Sequence, residues 1–595
     1  MNAANFSRLS ATQIAAAVAS GAAAASDVIE DSLTRIAAYD AIQPQVWISR
    51  ASPDSVRAKA AAVDLKVKAG AQLPLAGVPF AVKDNINVGG VETTAACPAF
   101  AFTADESARV VQLLEAAGAI FIGKTNLDQF ATGLVGARSP YGAPHCVFNH
   151  EYVSGGSSSG SAVSVAAGLA AFALGTDTAG SGRVPAAFNH LIGLKPTRGR
   201  WSTSGLVPAC RSLDCISVFT NDVADARLVD SIVTAYDETD AYSRPAPAPK
   251  AAPKKLRIGV PKAKQLNWLQ DMQSAKLYEA ATARVHEMGA TLIEVDITPL
   301  LDCAQLLYQG AFVAERTAAL KDFAASQPGA MNPVVRGIVT GGRGFSASDA
   351  FEAEYQRMDY LRQAAKMWEQ IDALLLPTAS TIYRIAEVMA EPVALNSNLG
   401  LYTNFVNLLD MSAIAAPAGF RANGTGFGVT FIAPAWADAF LLDLAQKYLE
   451  AGPAFEIPAL DLEPHLANIK VAVVGAHLNG MPLHWQLSSR NARLVKSAKT
   501  APSYKLYAMT QSVPPKPALI YDEGGASIAV EVYELDEKSF GSFTAEVPPP
   551  LAIGSVELED GEIVKGFVAE PRAMIGAEDI THLGGWRAFI AGLKK

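Results

Sequence analysis

The chain has 595 residues, of which 50% are hydrophobic and 18% are charged. A chain of this length is expected to fold as two or more domains, and its composition excludes an intrinsically disordered protein. The net charge of −9 argues against nucleic acid as a partner, because binding to phosphates favours a basic surface.

The five cysteines are few for this length, and none forms a C-x-x-C pair. Their odd number argues against a disulfide framework and indicates a reducing compartment, so we expect a cytoplasmic protein. No apolar run reaches the roughly 18 residues that a membrane-spanning helix needs, so no membrane association is expected.

In chain order, residues 1–70 are rich in alanine and predict helices, the first of which begins near Ser10 or Thr12. Between 73 and 235, short apolar runs alternate with helical patterns, which is typical of an α/β domain. Examples are a predicted helix over 107–115 and a predicted buried strand over 119–124. Further helices are predicted within 272–290, 300–325 and 347–370, and a further strand over 373–377.

The pattern changes near residues 452–468, where Gly452-Pro453, Pro458 and Pro464 interrupt the chain. Beyond residue 469, short β-branched runs are separated by Gly, Pro and Asp, which predicts a separate β-rich domain. We therefore predict a domain over 1–455, a linker over 456–468 and a smaller domain over 469–595.

Three residues of the larger domain predict acyl-transfer chemistry. Lys83 ends the strand-like run 77–83, whereas Ser157 and Ser181 each lie in a Gly/Ser tract. A serine needs a base to act as a nucleophile, and a lysine kept neutral by burial can be that base.

The two tracts could be flexible loops, the usual meaning of Gly and Ser in isolation. A predicted small-residue helix over 161–169 and a strand over 171–174 lie between them, which favours an ordered site. The second tract can direct successive backbone N–H groups at one point and form an oxyanion hole. Its candidate residues are Thr178, Ala179, Gly180 and Ser181.

Four segments resemble the amidase signature family. They are residues 77–84, 155–161, 173–187 and 193–197, and the resemblance extends over about residues 5–450. It implies an α/β amidase signature fold, a mixed central sheet flanked by helices. It also implies Lys83 as base, Ser157 as a proton-relaying serine after a cis peptide bond, and Ser181 as nucleophile. Ala179 and Gly182 depart from the family's usual residues.

Two further segments, 132–142 and 209–215, resemble the allophanate hydrolases of this family. This likeness implies that Gly133, Tyr308 and Arg316 bind the substrate, and an arginine fork suits a small carboxylate. Without the resemblance, Tyr308 would be interpreted as a packing residue of a helix and Arg316 as a surface charge.

The predicted smaller domain resembles the γ-glutamylcyclotransferase-like β-barrel of the same group, through residues 473–480 and 530–535. His477 and His484 are candidates for a second step on the first product, although a lone histidine is more often a structural hydrogen-bonding group. Glu546 is the only acidic residue near the position that cyclotransferases use, so cyclotransferase activity is not expected.

The resemblance favours hydrolysis of allophanate to ammonia and carbon dioxide through an acyl-serine intermediate. The alternatives are an amidase for another small amide, the amidase subunit of a tRNA-dependent amidotransferase, and a C-terminal domain that serves only dimerisation or stability. We expect a small-molecule substrate, no cofactor, no metal, a homodimer, and functional coupling to a urea carboxylase.

Overall fold

The computed structural model describes residues 10–248, 253, 255–462, 468–490, 492–510 and 515–593. The chain divides between Glu463 and Pro464 into two compact units, Met1–Glu463 and Pro464–Lys595. This boundary lies within the predicted linker 456–468, of which residues 463–467, including Pro464, lie outside the described residues.

The larger unit combines a broad sheet with many helices. Its strands are β1 (Trp47–Arg50), β2 (Pro79–Lys83), β3 (Glu92–Thr93), β4 (Phe102–Thr103), β5 (Ile120–Thr125), β6 (His145–Cys146), β7 (Asn149–Val153), β8 (Phe172–Asp177), β9 (Ile192–Lys195), β10 (Cys215–Thr220), β11 (Arg257–Pro261), β12 (Thr291–Val295), β13 (Ala373–Pro377), β14 (Met411–Phe420) and β15 (Gly426–Pro434). Its helices are α1 (Ala11–Ala19), α2 (Ala25–Tyr39), α3 (Pro53–Lys68), α4 (Arg109–Ala116), α5 (Ser159–Ala166), α6 (Val184–Phe188), α7 (Val223–Val233), α8 (Met272–Glu287), α9 (Thr298–Gln309), α10 (Ala314–Ser326), α11 (Pro333–Gly341), α12 (Ala347–Trp368), α13 (Ile385–Ala390), α14 (Ala394–Leu399), α15 (Phe405–Leu408) and α16 (Asp438–Glu450).

Eleven strands form one mixed sheet in the order β1-β5-β2-β8-β10-β9-β14-β15-β13-β11-β12. Alternate residues of its central strands enter different apolar clusters, as the two-residue period of a strand requires. Phe80 packs with the helices α4 and α7, whereas the next residue, Ala81, packs with α2, α3 and α5. The sheet is therefore covered on both faces, and the mixed central sheet flanked by helices is confirmed.

Strands β2 and β8 are parallel neighbours, with Val82 opposite Leu174. The ends of parallel strands meet at one edge of a sheet, so Lys83 and Thr176 come together there. This edge is where the predicted catalytic residues lie.

Most predicted elements are present. Ser10 accepts a hydrogen bond from the amide of Gln13 and begins α1, as predicted from its position before an alanine-rich run. The small-residue helix begins at Ser159 rather than Ser161 and ends at Ala166. The short strand β1 was not predicted within 1–70, because four residues of mixed polarity give a weak pattern and their pairing with β5 is a contact between distant parts of the chain.

The smaller unit is β-rich, as expected. Its elements are β16 (Asn468–Val473), α17 (Trp485–Ser488), β17 (Arg493–Lys499), β18 (Tyr504–Met509), β19 (Lys516–Tyr521), β20 (Ala529–Asp536), α18 (Glu537–Ala545), β21 (Leu551–Glu557), β22 (Ile563–Ala569), β23 (Glu578–Asp579) and α19 (Trp586–Leu593). The strands form a five-stranded sheet, β17-β20-β16-β22-β21, and a three-stranded sheet, β19-β18-β23. A core of its own, including Val473, Phe543 and Trp586, fills this unit.

Across the described ranges, every helix falls short of the length and apolar content that crossing a membrane requires.

Candidate active site

Lys83 lies at the centre of the candidate site, at the end of β2. Its Nζ is 2.7 Å from Ser157 Oγ and 2.6 Å from Thr176 Oγ1. All three side chains are buried. A neutral lysine amine can donate to Thr176 and accept the proton of Ser157, so this geometry suits a base that acts through a serine.

Burial lowers the pKa of Lys83 to about 7, because the charged ammonium loses its hydration. Asp128, Asp214 and Asp177 act in the opposite direction and favour the charged form. Desolvation outweighs these three carboxylates, so a large fraction of Lys83 is neutral near pH 7. Asp84, the neighbour of Lys83 in sequence, would also favour the charged form, but it instead forms an ion pair with Lys124 at 3.0 Å.

Ser181 lies on a loop that is closed by a buried ion pair. Arg183 donates from Nε to Asp177 Oδ2 (2.8 Å) and from Nη2 to Oδ1 (2.9 Å). The same carboxylate accepts from the amides of Gly180 (2.9 Å) and Gly182 (3.0 Å). The fork of Arg183 and the two amides fix the backbone on both sides of Ser181.

These bonds reduce the number of amides that are candidates for the predicted oxyanion hole. The N–H of Gly180 is already donated to Asp177, so it is not free for an oxyanion. Thr178, Ala179 and Ser181 remain as backbone candidates, since within the described ranges their amides donate to no protein acceptor. The Thr178 side chain also bonds to Asp214, which anchors the start of the loop.

The Ser181 hydroxyl faces the segment that carries Gly133. Its Oγ donates to the Gly133 carbonyl at 3.5 Å, and within the described chain it makes no hydrogen bond to Ser157. The peptide bond between Gly156 and Ser157 is cis, as the family resemblance implied. The Lys83–Ser157 half of the predicted relay is therefore in contact, whereas the Ser157–Ser181 half is open.

Arg316 and Tyr308 lie beside this segment and touch each other. Arg316 donates from Nη1 to Thr132 Oγ1 (2.8 Å) and from Nη2 to Tyr308 Oη (3.1 Å). Arg316 is only 1% exposed, so the interpretation of this residue as a surface charge is wrong. Its Nε has no hydrogen-bond partner, and no carboxylate of the described residues forms an ion pair with it. A buried arginine in this state has donors available for an anion.

A cavity of about 580 Å³ adjoins Tyr308. Its described lining includes Leu134, Arg138 and several amide side chains, among them Asn396 and Asn404, but no Asp or Glu. Arg138 is buried and lends further positive charge to this region. The cavity therefore favours an anionic or neutral ligand over a cation.

The smaller unit contains a second cavity of about 250 Å³, which is lined in part by His477. His477 Nε2 lies 2.7 Å from Gln486 Oε1, and Gln486 Nε2 donates to Glu546 Oε2 at 3.0 Å. Phe567 stacks on the imidazole, and burial lowers the pKa of His477. His484 is outside this lining, and its Nδ1 lies 3.1 Å from the carbonyl of His477.

Thr176, Thr132 and Asp128 belong to the site but were not predicted from the sequence. Thr176 lies two residues after the predicted strand 171–174, but nothing in the sequence indicated that this strand is the parallel neighbour of the strand that ends at Lys83. Thr132 contacts Arg316 across 184 positions of sequence, and such a contact has no local pattern.

Comparisons with known proteins show the family to which this chain belongs. The family model described as Amidase matches residues 27–442, and the model of the allophanate hydrolase C-terminal domain matches residues 469–591. The urea amidolyase of Lachancea kluyveri is 47% identical over 554 residues, which are 88% of this chain and 30% of that protein. This chain therefore spans about a third of the length of the urea amidolyases that it matches.

Two other relatives match over nearly their whole length. The allophanate hydrolase of Kluyveromyces lactis has a solved structure with a TM-score of 0.69 and 43% identity, and the match covers 96% of this chain and 97% of that one. A glutamyl-tRNA(Gln) amidotransferase subunit from Symbiobacterium thermophilum is 36% identical, covering 76% of this chain and 99% of that protein. The chain therefore belongs to the amidase signature family and carries the C-terminal domain of allophanate hydrolases.

Proposed function

We propose that this chain hydrolyses allophanate, with Lys83 as base, Ser157 as relay and Ser181 as nucleophile. The observation that carries the substrate assignment is Arg316, a buried arginine with a free Nε and no carboxylate partner among the described residues. A small substrate with its own carboxylate would supply that partner. The name of the Kluyveromyces lactis relative supports the same substrate.

The position of Arg316 relative to Ser181 also supports a short substrate. Arg316 bonds to the side chain of Thr132, and Ser181 bonds to the carbonyl of the next residue, Gly133. The guanidinium of Arg316 and the hydroxyl of Ser181 therefore contact two consecutive residues, Thr132 and Gly133. Allophanate has its carboxylate and its terminal amide separated by a single nitrogen, so one molecule can address both groups.

The proposed reaction begins when Ser181 Oγ attacks the terminal amide carbon. The Ser181 proton passes to Ser157, and the Ser157 proton passes to Lys83. The amides of Thr178, Ala179 and Ser181 are the candidate donors to the oxyanion. Return of the proton to the leaving nitrogen releases ammonia and leaves an acyl-Ser181, which water hydrolyses to a dicarboxylated nitrogen species.

We assign a second step to the smaller unit, in which that product loses carbon dioxide. The C–N bond breaks, its electron pair stays on nitrogen, and nitrogen takes a proton; the resulting carbamate then decomposes to ammonia and carbon dioxide. The support is the cavity lined by His477, Lys516 and Glu546, in which Lys516 is a cation that could contact an anionic product. His477 is favoured over His484, because only His477 lines this cavity.

Two other functions of the larger unit have some support. The cavity of about 580 Å³ beside Tyr308 would accept a bulkier amide than allophanate. The relatives named as subunits of glutamyl-tRNA(Gln) amidotransferase support a role in such a complex, but the allophanate hydrolase C-terminal domain argues for the hydrolase.

We further propose a cytoplasmic homodimer that is coupled functionally to a urea carboxylase, which would supply allophanate. Phe351, Tyr355 and Met358 are exposed on one face of α12 and could pair with a second copy. All five cysteines are unpaired, which suits a reducing compartment. Light scattering of the purified chain tests the dimer.

The test of the reaction is ammonia release from allophanate by the wild type and by Ser181→Ala. The wild type should release ammonia, and the variant should lose both this activity and labelling by a fluorophosphonate probe, which bonds covalently to an activated serine. Labelling of the variant at the wild-type rate would refute Ser181 as nucleophile. A wild type that hydrolyses small neutral amides but not allophanate would refute the substrate.

A further inference from the structure

Asp128 is a buried carboxylate among the candidate catalytic groups, and no step above uses it. It is fully buried, and its Oδ1 accepts from the amide of Arg138 (2.9 Å) while Oδ2 accepts from the amide of Gly136 (3.0 Å). Its own amide donates to the carbonyl of Ser157 (3.1 Å). The residue therefore joins the relay serine to the loop that follows Gly133.

Glycines allow the backbone to approach this carboxylate from two sides. A Cβ at Gly133 would lie 2.4 Å from Asp128 Oδ2, and a Cβ at Gly156 would lie 2.2 Å from the same atom. Both distances are too short for any side chain, so only glycine fits at these positions. Asp128 thus fixes the separation between the carbonyl that meets Ser181 and the peptide that carries Ser157.

The charge of Asp128 is also placed to act on Lys83. Burial acts most strongly on Lys83, and Asp128 is the leading carboxylate that opposes it, followed by Asp214 and Asp177. Asp177 is already neutralised by the fork of Arg183. Asp214 accepts from Thr178 and from two amides, and Arg316 also acts on it.

Asp128 differs from Asp177, because its hydrogen-bond donors are neutral amides and no ion pair to it is formed within the described residues. It differs from Asp214 in that it acts more strongly on Lys83. Burial raises the pKa of Asp128, whereas the cations Arg138 and Lys83 and the two amide donors act in the opposite direction. When Lys83 accepts a proton from Ser157, a charge appears in a buried site. In its ionised form, a carboxylate held by neutral donors stabilises that cation through its charge.

We propose that Asp128 is a positioning residue of this site, which holds Gly133 and Ser157 in register and stabilises Lys83 in its protonated state. The inference rests on the proposed roles of Lys83 and Ser181, but not on allophanate as the substrate. Its test can therefore avoid the substrate.

The test measures the rate at which a fluorophosphonate probe labels Ser181 between pH 5 and pH 9 in the full chain. In this reaction the Ser181 oxygen bonds to phosphorus, fluoride leaves, and the Ser181 proton passes through Ser157 to Lys83. In Asp128→Asn, the maximal labelling rate should fall at least tenfold, because the protonated lysine is less stable. The acidic limb should also move to lower pH by about one unit, because loss of a nearby carboxylate lowers the pKa of Lys83.

The matched control is Asp225→Asn. Asp225 is also buried and also accepts from backbone amides, those of Ala11 and Thr12, but it lies outside the site. Its variant is expected to lose thermal stability, yet its acidic limb should coincide with that of the wild type. Asp128→Ser is a second test variant, because it removes the charge without placing an amide donor opposite the N–H of Gly136.

A lower labelling rate with an unmoved acidic limb would overturn the proposal and leave Asp128 with a structural role only. Failure of both Asp128 variants to fold, while Asp225→Asn folds, would overturn it in the same way. If the wild type labels at Ser181 but does not hydrolyse allophanate, the substrate assignment fails and the test of Asp128 still stands.

Discussion

The proposed anion site makes a quantitative prediction for Arg316→Lys. Lysine keeps the positive charge but cannot donate to Thr132 and Tyr308 while offering a planar fork to a carboxylate. A hydrogen bond to a charged group contributes about 1.5–3 kcal/mol. Loss of the two bonds of the fork to the substrate carboxylate should therefore cost about 3–6 kcal/mol. The value of kcat/KM for allophanate should therefore fall by about 10²- to 10⁴-fold, since 1.4 kcal/mol corresponds to a factor of ten.

The assay compares kcat/KM for allophanate with that for a small neutral amide that the wild type also hydrolyses. The neutral amide should be affected less than about threefold, because it makes no ionic contact with the guanidinium. Arg336→Lys, at an exposed position of α11, controls for the substitution itself and should change neither value. An equal loss for both substrates would mean that Arg316 only supports the surrounding structure.

Three other predictions address the base, its titration and the smaller unit. Lys83→Ala and Ser157→Ala should each lower turnover by orders of magnitude, and the double variant should be little worse than the poorer single variant, because a relay acts as a unit; losses that multiply would argue against the relay. Because Lys83 has a pKa of about 7 and only its neutral form accepts a proton, the rate of acylation should fall as the pH decreases below about 7, and a rate independent of pH between 5 and 8 would exclude Lys83 as the base. In His477→Asn, the first ammonia should appear at the wild-type rate and the second more slowly, with His582→Asn as an exposed control; unchanged time courses for both would leave His477 a structural role.

The structure brings Lys83 and Ser157 within 2.7 Å, a pairing that was expected from the family resemblance and not from a local pattern. The local pattern predicted only the strand that ends at Lys83 and the small-residue helix that follows Ser157. The donors of the oxyanion hole were predicted less completely, because the N–H of Gly180, one of the candidates, is bonded to Asp177. That bond depends on how the backbone turns between the two residues. The direction of each backbone N–H in a glycine-rich turn is set by the dihedral angles. Many different sequences adopt the same angles, so the sequence alone does not specify that direction.

Burial of Arg316 could not be predicted from its surroundings in the sequence. It lies in α10, whose neighbouring charged residues suggest a solvated helix, and its partners include Thr132, 184 residues away. Only the packing of the whole unit removes this guanidinium from water. The family resemblance implied that Arg316 binds the substrate, which stays a prediction, whereas the local pattern alone favoured a surface charge.

The acidic limb of the pH profile of acylation depends on the carboxylates around Lys83 as well as on Lys83 itself. Burial raises the pKa of Asp214 to about 6, close to the value of about 7 for Lys83, and the charge of Asp214 favours the protonated lysine. As the pH decreases towards 6, neutralisation of Asp214 removes that favourable charge, so protonation of one group opposes protonation of the other. The apparent pKa of the limb therefore belongs to the cluster and not to Lys83 alone. This coupling predicts a limb broader than a single titration, and Asp214→Asn should narrow it.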